Sequence, residues 1–282
     1  MRVLVTGAGG MLGSDVVDVA RARGHDCVGL GHGELDVSDQ DAVAAALDRL
    51  APQAIVNCAA WTDVEGAELR EADALAVNGT GAGNIARAAA AAGAQLVQVS
   101  TDYVFDGTAT RAYVESDPTN AISAYGRTKL AGEQEVLAAS PQHAVARTAW
   151  LFGPGGRNFV TTMLRLAVGA GEELAVVTDE VGCPTFTGHL APRLLELAEQ
   201  RAAGVFHLAG AGHCSRNEFA RAIFDAAGLE LRVAETTQSE LAMLAPRPAW
   251  SVIVSEREIA PLPQWREGLA AYRALAPEVF GR

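Results

Sequence analysis

The sequence predicts a doubly wound α/β fold, a parallel sheet with helices on both faces, carrying a second, smaller lobe. Three observations lead there. Short β-branched runs alternate with alanine-rich helical stretches through the first half, a glycine-rich turn follows the first run, and beyond Trp150 the alternation breaks up among prolines.

Taken in order, the strands are expected at Arg2–Thr6, Asp26–Leu30, Ala54–Asn57, Gln95–Ser100 and Ala144–Thr148, each short and apolar as a sheet buried on both faces requires. Between them, helices are expected at Met11–Arg23, Asp39–Leu50, Asp73–Ala92 and Ala121–Ala139, where alanine and leucine recur at helical spacing. After the loop Gly153-Pro154-Gly155-Gly156 come a helix near Asn158–Val168, a strand near Leu174–Val177, a helix at Gly188–Gln200 and a strand at Val205–Leu208 that returns to the main sheet. Pro246, Pro248, Pro261 and Pro263 punctuate the remainder. The expected division is residues 1–150 as the dinucleotide-binding unit, with 185–210 returning to it, and 151–184 plus 211–282 as a substrate-binding lobe.

Composition narrows the function. With 282 residues, 49% hydrophobic and 20% charged, the chain has the ordinary globular mix. Its net charge of −12 argues against a nucleic-acid or anionic-membrane binder, because such affinity comes from clustered Lys and Arg. An anionic ligand must then be met by local donors. The four cysteines form no C-x-x-C pair and the six histidines no H-E-x-x-H, so neither a disulfide framework nor a zinc site is expected. No run approaches about 18 apolar residues, and the first residues turn glycine-rich too soon for a secretory signal, which reads as a cytoplasmic protein.

The segment Val3 to Gly13 places Gly7, Gly10 and Gly13 at G-x-x-G-x-x-G spacing between a strand and a helix, the context of a Rossmann dinucleotide site. Gly7 permits the tight turn, Gly10 lets backbone N–H groups approach a pyrophosphate, and Gly13 allows close packing of helix on sheet. The ribose-binding acid belongs at the end of the second strand, but that stretch reads Gly31-His32-Gly33-Glu34. Neither an acid nor an arginine sits directly there; a 2′-phosphate would meet no carboxylate and His32 could help it, so the choice between NADH and NADPH stays open.

Tyr125-Gly126-Arg127-Thr128-Lys129 is a Y-x-x-x-K within an expected helix, with both side chains on one face. An ammonium beside a phenol favours phenolate, so Lys129 is expected to lower the Tyr125 pKa. Alone the pair is a weak signal. It gains weight from Ser100-Thr101-Asp102-Tyr103-Val104-Phe105-Asp106-Gly107, at a strand end where a parallel sheet delivers residues to its ligand. Thr101 could donate to a substrate carbonyl oxygen; Thr101 and Asp102 also suit a helix cap.

Together these motifs resemble the extended short-chain dehydrogenase/reductase family and, within it, the dTDP-4-dehydrorhamnose reductases. Asn57-Cys58-Ala59-Ala60-Trp61-Thr62, Arg147 to Gly153, Cys183-Pro184-Thr185 and Arg247-Pro248 extend the resemblance over nearly the whole chain. The resemblance implies NADH- or NADPH-dependent reduction of the 4-keto group of dTDP-4-dehydro-6-deoxy-L-mannose, with Thr101, Tyr125 and Lys129 as the catalytic triad and Tyr125 as proton donor. It implies that Gly10, Met11, Leu12, Asp36, Val37, Ala59, Ala60, Trp61 and Ser100 line the cofactor and that Asp102 and Trp150 touch the sugar nucleotide. Arg247, with Arg157 behind it, is the candidate for the diphosphate, since a guanidinium offers forked donors. Arg216 and Asn217 stand where the family usually has aromatic residues, and no glutamate cluster marks the magnesium site some relatives carry, so magnesium and the choice of monomer or homodimer stay open. The rivals are a dehydratase, disfavoured because Tyr103 stands where its acid would be, a reductase of another dTDP-4-keto sugar, and a non-catalytic regulatory subunit of the same fold.

Overall fold

The structure, a computed structural model, describes residues 1–169 and 171–281; positions 170 and 282 of the second-lobe spans lie outside the described residues. Six parallel strands make the main sheet: β1 (Arg2–Thr6), β2 (Asp26–Leu30), β3 (Ala54–Asn57), β4 (Gln95–Thr101), β5 (Ala144–Thr148) and β6 (Gly204–His207). Their spatial order is β2-β1-β3-β4-β5-β6, so the winding reverses between β1 and β3. Such a reversal opens a crevice at the carboxyl ends of the strands.

The sheet is buried on both sides, and alternate residues enter different cores. Val3 and Val5 pack with Leu12, Val16, Leu190 and Leu194 of the helices Met11–Ala22 and Thr187–Glu199. Leu4, Ile55 and Leu96 face the helices Gln40–Leu50, Ala82–Ala92 and Ala124–Ala139 through Val43, Leu47, Ile85 and Val136. The strand expected at Val205–Leu208 does return, with Val205 opposite Val145 on β5.

Two helical expectations are corrected. The helix placed at Ala121 begins at Ala124, because the Ser123 hydroxyl accepts from the Gly126 N–H and fixes the cap. The single helix placed at Asp73–Ala92 is divided into Glu71–Leu75, a π-helical turn over Ala76–Gly81, and Ala82–Ala92, and is preceded by a short helix at Val64–Leu69. The π turn buries Asn78, whose amide then serves partners outside its own helix.

Beyond β5 a second core forms around Phe152, Phe186, Phe219, Trp265 and Tyr272. It is bounded by the helices Phe159–Ala167, Arg216–Ala227 and Trp265–Leu275 and by the parallel pair Glu173–Val177 and Arg232–Thr236. A third group, Val104, Phe105, Tyr113, Ala149, Cys183, Val252 and Ile253, joins this core to the carboxyl end of the sheet.

The helix Ala124–Ala139 lies unusually close to its neighbours. A Cβ at Gly132 would stand 2.1 Å from the Asn78 carbonyl oxygen, and one at Gly126 would stand 2.2 Å from the Tyr103 carbonyl oxygen. Both obstacles are backbone, so neither yields cheaply. Gly132→Ala is expected to destabilise the protein by about 2 kcal/mol, the overlap outweighing alanine's better helix propensity. A lower urea midpoint with unchanged slope would be the signature, and an unchanged midpoint would show that the helix can back away.

Candidate active site

At the crevice, β1 runs into Gly7, whose φ of 68° lies in the left-handed region. A Cβ there would collide with the Ala59 nitrogen at 2.6 Å, and one at Gly13 with the Gly7 carbonyl oxygen at 2.2 Å. The loop is therefore pressed against β3 on one side and its own helix on the other. Gly10 caps the helix without a side-chain acceptor, leaving first-turn N–H groups available. An uncapped helix start beneath a turn where only glycine fits suits a dinucleotide pyrophosphate. Met11 is half-buried beside it, whereas Leu12 is 6% exposed and packs in the core, so Leu12 can offer a ligand only its backbone.

Along the crevice, Ala59, Ala60 and Trp61 are half-buried and held by buried amides. The Ala59 N–H donates to Asn57 Oδ1 at 3.1 Å, and Asn57 Nδ2 donates to Gln98 at 2.6 Å. Trp61 N donates to Asn78 Oδ1 at 2.9 Å, while Asn78 Nδ2 returns to the Trp61 carbonyl and to the Thr128 hydroxyl, both at 3.1 Å. Past β2, Asp36 is exposed and accepts from Ser38, and Val37 is buried in the core with its carbonyl held by Asn84. The Val37 side chain thus cannot line a cofactor. Glu34 instead curls back to the strand end, where its carboxylate accepts the Gly31 N–H at 2.9 Å.

Thr101 ends β4 and Tyr125 stands in the first turn of the facing helix. The Thr101 hydroxyl donates to Asp102 Oδ1 at 3.0 Å and accepts the Tyr103 N–H at 3.2 Å, and it lies near the Tyr125 phenol. Tyr103 packs edge-on against Tyr125 with ring centres 5.7 Å apart. The three groups expected to act together are thus carried by β4 and one helix, with Lys129 one turn beyond Tyr125. Lys129, buried, donates to the Val99 carbonyl at 2.6 Å. Burial lowers its pKa to about 8 against the pull of Glu133 and Cys58.

The expected lowering of the Tyr125 pKa by Lys129 is not what the structure has. Burial pushes the phenol upward, opposed by the neighbouring Thr101 hydroxyl and reinforced by Asp102 and Tyr103. The ammonium is spent on Val99, and a neutral phenol is the form that can donate a proton. Ser100 is likewise turned from its expected role. Its hydroxyl donates to the buried Glu133 carboxylate, which Arg147 holds at 2.7 Å.

Asp102 is 2% exposed and its Oδ2 has no hydrogen-bond partner among the described residues. Burial raises its pKa to about 6 despite the bond from Thr101 and the nearby Ser251 hydroxyl and Arg216 guanidinium. Trp150 has φ of 46°, a strained value for an aromatic residue, and its indole fills the space a Gly182 Cβ would need, 2.4 Å away. Arg216 lies over that ring at 3.4 Å and pairs with Glu180 at 3.2 Å. Arg247 sits beside the same Glu180 at 3.9 Å and pairs with Glu65 at 2.7 Å. Arg157 is exposed in the 153–157 loop, whose Gly156 comes close to Met11, so it belongs to the other end of the crevice.

The family model described as RmlD substrate binding domain matches residues 1–276. The chain belongs to this family. It is 44% identical to a dTDP-4-dehydrorhamnose reductase of Mycolicibacterium smegmatis, covering 95% of this chain and 84% of that one. A dTDP-4-keto-6-deoxy-D-glucose reductase of Streptomyces niveus is 42% identical over 95% of each chain. Among solved structures, a dTDP-4-dehydrorhamnose reductase of Bacillus anthracis in complex with NADP superposes with a TM-score of 0.94 at 34% identity, covering 97% of this chain and 99% of that one.

Sequence reasoning on the family pattern missed Arg216, Glu180, Glu65 and Asn78. Only Arg216 left a signal, as a departure at the start of a helix whose Ser215 and Glu218 form a capping box. Among the described residues no three His, Cys, Asp or Glu side chains are grouped to hold a metal ion, and Glu173 pairs with Arg232 at 3.0 Å.

The Asp102 shift has a sign that can be measured. The unfolded carboxyl ionises near pH 4, the folded one near 6, so folding stability falls as pH rises across that window and is flat above it. Asp102→Asn removes this loss. The stability of the variant relative to wild type is expected to improve by roughly 2–3 kcal/mol between pH 4 and pH 7. Urea unfolding at both pH values checks it, and a pH-independent difference would refute the buried acid.

Proposed function

We propose that this chain reduces the 4-keto group of dTDP-4-dehydro-6-deoxy-L-mannose, giving dTDP-L-rhamnose, with a reduced nicotinamide dinucleotide as hydride source. The observation that carries the reading is the convergence of Thr101, Tyr125 and Lys129 at the strand ends beside the Gly7 crevice. The M. smegmatis and B. anthracis relatives, named for this reaction, support it.

Gly10 and Met11 would hold the pyrophosphate through first-turn N–H groups, Ala59 to Trp61 would flank the dinucleotide, and Lys129 would hold the nicotinamide ribose. When bound, the dihydronicotinamide supplies the hydride. Thr101 donates a hydrogen bond to the carbonyl oxygen as charge builds on it. Tyr125, kept protonated by its burial, transfers the phenolic proton to that oxygen, completing the alcohol. Asp102 and Trp150 would contact the sugar, and Arg247 with Arg216 the diphosphate, each guanidinium held ready by an acid until the ligand arrives.

On this reading the lobe formed by 151–184 and 211–282 binds substrate and 1–150 with 185–210 binds the dinucleotide. The reaction is assigned to the cytoplasm, in keeping with four free cysteines; among the described residues no helix is long and apolar enough to cross a membrane. The Streptomyces niveus relative favours a second reading, a different dTDP-4-keto sugar, since identity to it is nearly as high.

Tyr125→Phe is expected to lower turnover of dTDP-4-dehydro-6-deoxy-L-mannose by about 10²–10⁴-fold while changing dinucleotide affinity far less. Loss of dinucleotide absorbance at 340 nm follows the rate. Equal rates would remove Tyr125 as the acid, and wild type inactive on this sugar but active on another dTDP-4-keto sugar would establish the second reading.

A further inference from the structure

We propose that Glu133 is the positioning residue for Lys129: clamped by Arg147 and Ser100, it holds the buried ammonium charged and aligned on the strand end that carries Thr101. Lys129 is the only lysine among the 282 residues. It is buried, and an ammonium withdrawn from water loses its hydration, so burial favours the neutral amine. Its hydrogen bond at 2.6 Å goes to the Val99 carbonyl, a neutral acceptor that orients the group but brings no counter-charge. The charge must be supported from elsewhere. Around Lys129 the titratable and charged side chains are Glu133 and Tyr125 on its own helix, Cys58 just past β3, and Arg147 on β5 behind Glu133. From β4 it is met by Val99, Ser100 and Thr101, none of them charged, while Asp102 beyond them is engaged by Thr101 and Arg216. Burial pushes the Cys58 thiol up to about 12 and the Tyr125 phenol up as well, so both are neutral at neutral pH. Glu133 is the anion that remains.

Glu133 lies one helical turn beyond Lys129 and is itself buried. Arg147 grips both of its oxygens, Nη2 donating to Oε2 at 2.7 Å and Nε to Oε1 at 2.9 Å, and the Ser100 hydroxyl donates to Oε1 at 2.5 Å. A carboxylate held at three points does not swing onto the amine. It acts through space from a fixed position, in surroundings where water screens little. The two side chains also grip consecutive residues of β4, Lys129 the Val99 carbonyl and Glu133 the Ser100 hydroxyl, and the next residue is Thr101. The ammonium and the Thr101 alcohol are thereby set in register with each other. Burial draws the Lys129 pKa down to about 8, and of the two groups that oppose it Glu133 is the stronger. Removing the Glu133 charge would leave Arg147 uncompensated, and its repulsion would act on Lys129 in the same direction as burial.

Because the chain has a single lysine, protein grown on carbon-13 lysine gives one side-chain ε signal. Following that signal by NMR from about pH 6 to about pH 10 reads the Lys129 proton directly, with neither cofactor nor substrate present. Glu133→Gln is expected to move the midpoint down by at least about one pH unit, a tenfold loss of proton affinity, and to bring the alkaline fall of turnover down with it. Unfolding would move the midpoint up, toward the ordinary lysine value, so direction separates the two effects. If the orphaned Arg147 prevents folding, Glu133→Gln/Arg147→Met leaves neither charge alone and is expected to shift the midpoint down by a smaller amount. An unmoved midpoint in the folded variant overturns the inference. So does a loss of turnover uniform across pH, which would mean that Glu133 only packs the helix. The kinetic arm alone rests on the proposed reduction. Wild-type turnover with an unmoved midpoint in the variant would sink this inference and leave the reduction standing, whereas a lowered midpoint in a protein that reduces no dTDP-4-keto sugar would do the reverse.

Discussion

Everything at the candidate site depends on how closely one helix approaches the sheet. Ala124–Ala139 meets its neighbours backbone to backbone, Gly126 against the Tyr103 carbonyl and Gly132 against the Asn78 carbonyl. At that separation the Lys129 side chain reaches the Val99 carbonyl at 2.6 Å, and Tyr125 packs edge-on against Tyr103 beside Thr101. Hydrogen bonds fade over fractions of an ångström, so a retreat sufficient to seat a methyl group at either glycine would part these groups. The helix therefore sets the distance between groups on different elements, which neither element could set alone.

Behind that contact lies a buried charged network that acts as its footing. Glu133, one turn beyond Lys129, accepts from Ser100 on β4 and from the Arg147 guanidinium on β5. Arg147 in turn neighbours His207 on β6, whose N–H donates to Glu115 at 2.8 Å. A buried ion pair of this kind contributes little net stability, but removing one partner leaves an uncompensated charge. Its effect is to tie the helix to three strands at defined positions. It also sets an anion near the Lys129 ammonium, which opposes the loss of its proton by burial.

On the proposed reading, the opposite wall of the crevice must attract an anion to a chain with net charge −12. Arg216 and Arg247 are gathered around Glu180, and Arg247 also reaches Glu65 across the crevice. Pairing keeps the guanidinium groups ordered without desolvating them alone. Arg216 rests on the Trp150 indole, whose strained backbone is held by the absence of a side chain at Gly182 and by the N–H of Thr185 donating to its carbonyl. The strain and the unpartnered Asp102 oxygen lie on the side of the crevice where a substrate would sit.

Local patterns in the chain determined much of this. Strand positions, the Gly7-Gly10-Gly13 turn and the Tyr125/Lys129 spacing are all legible in order along the sequence, because each arises from steric or periodic rules acting within a few residues. What only the tertiary structure decided are matters of direction and company. Leu12 and Val37 sit in the cofactor segments yet point into the core, since a residue's face is set by what packs on it. The Tyr125 phenol is pushed up rather than down, because the ammonium nearest in sequence is engaged elsewhere and burial dominates. Glu34, offset from the strand end in the chain, returns to it through a turn closed by its own carboxylate, and Arg216 meets Trp150 across 66 positions. Distances between side chains far apart in the sequence are fixed by packing, and packing is a property of the whole chain.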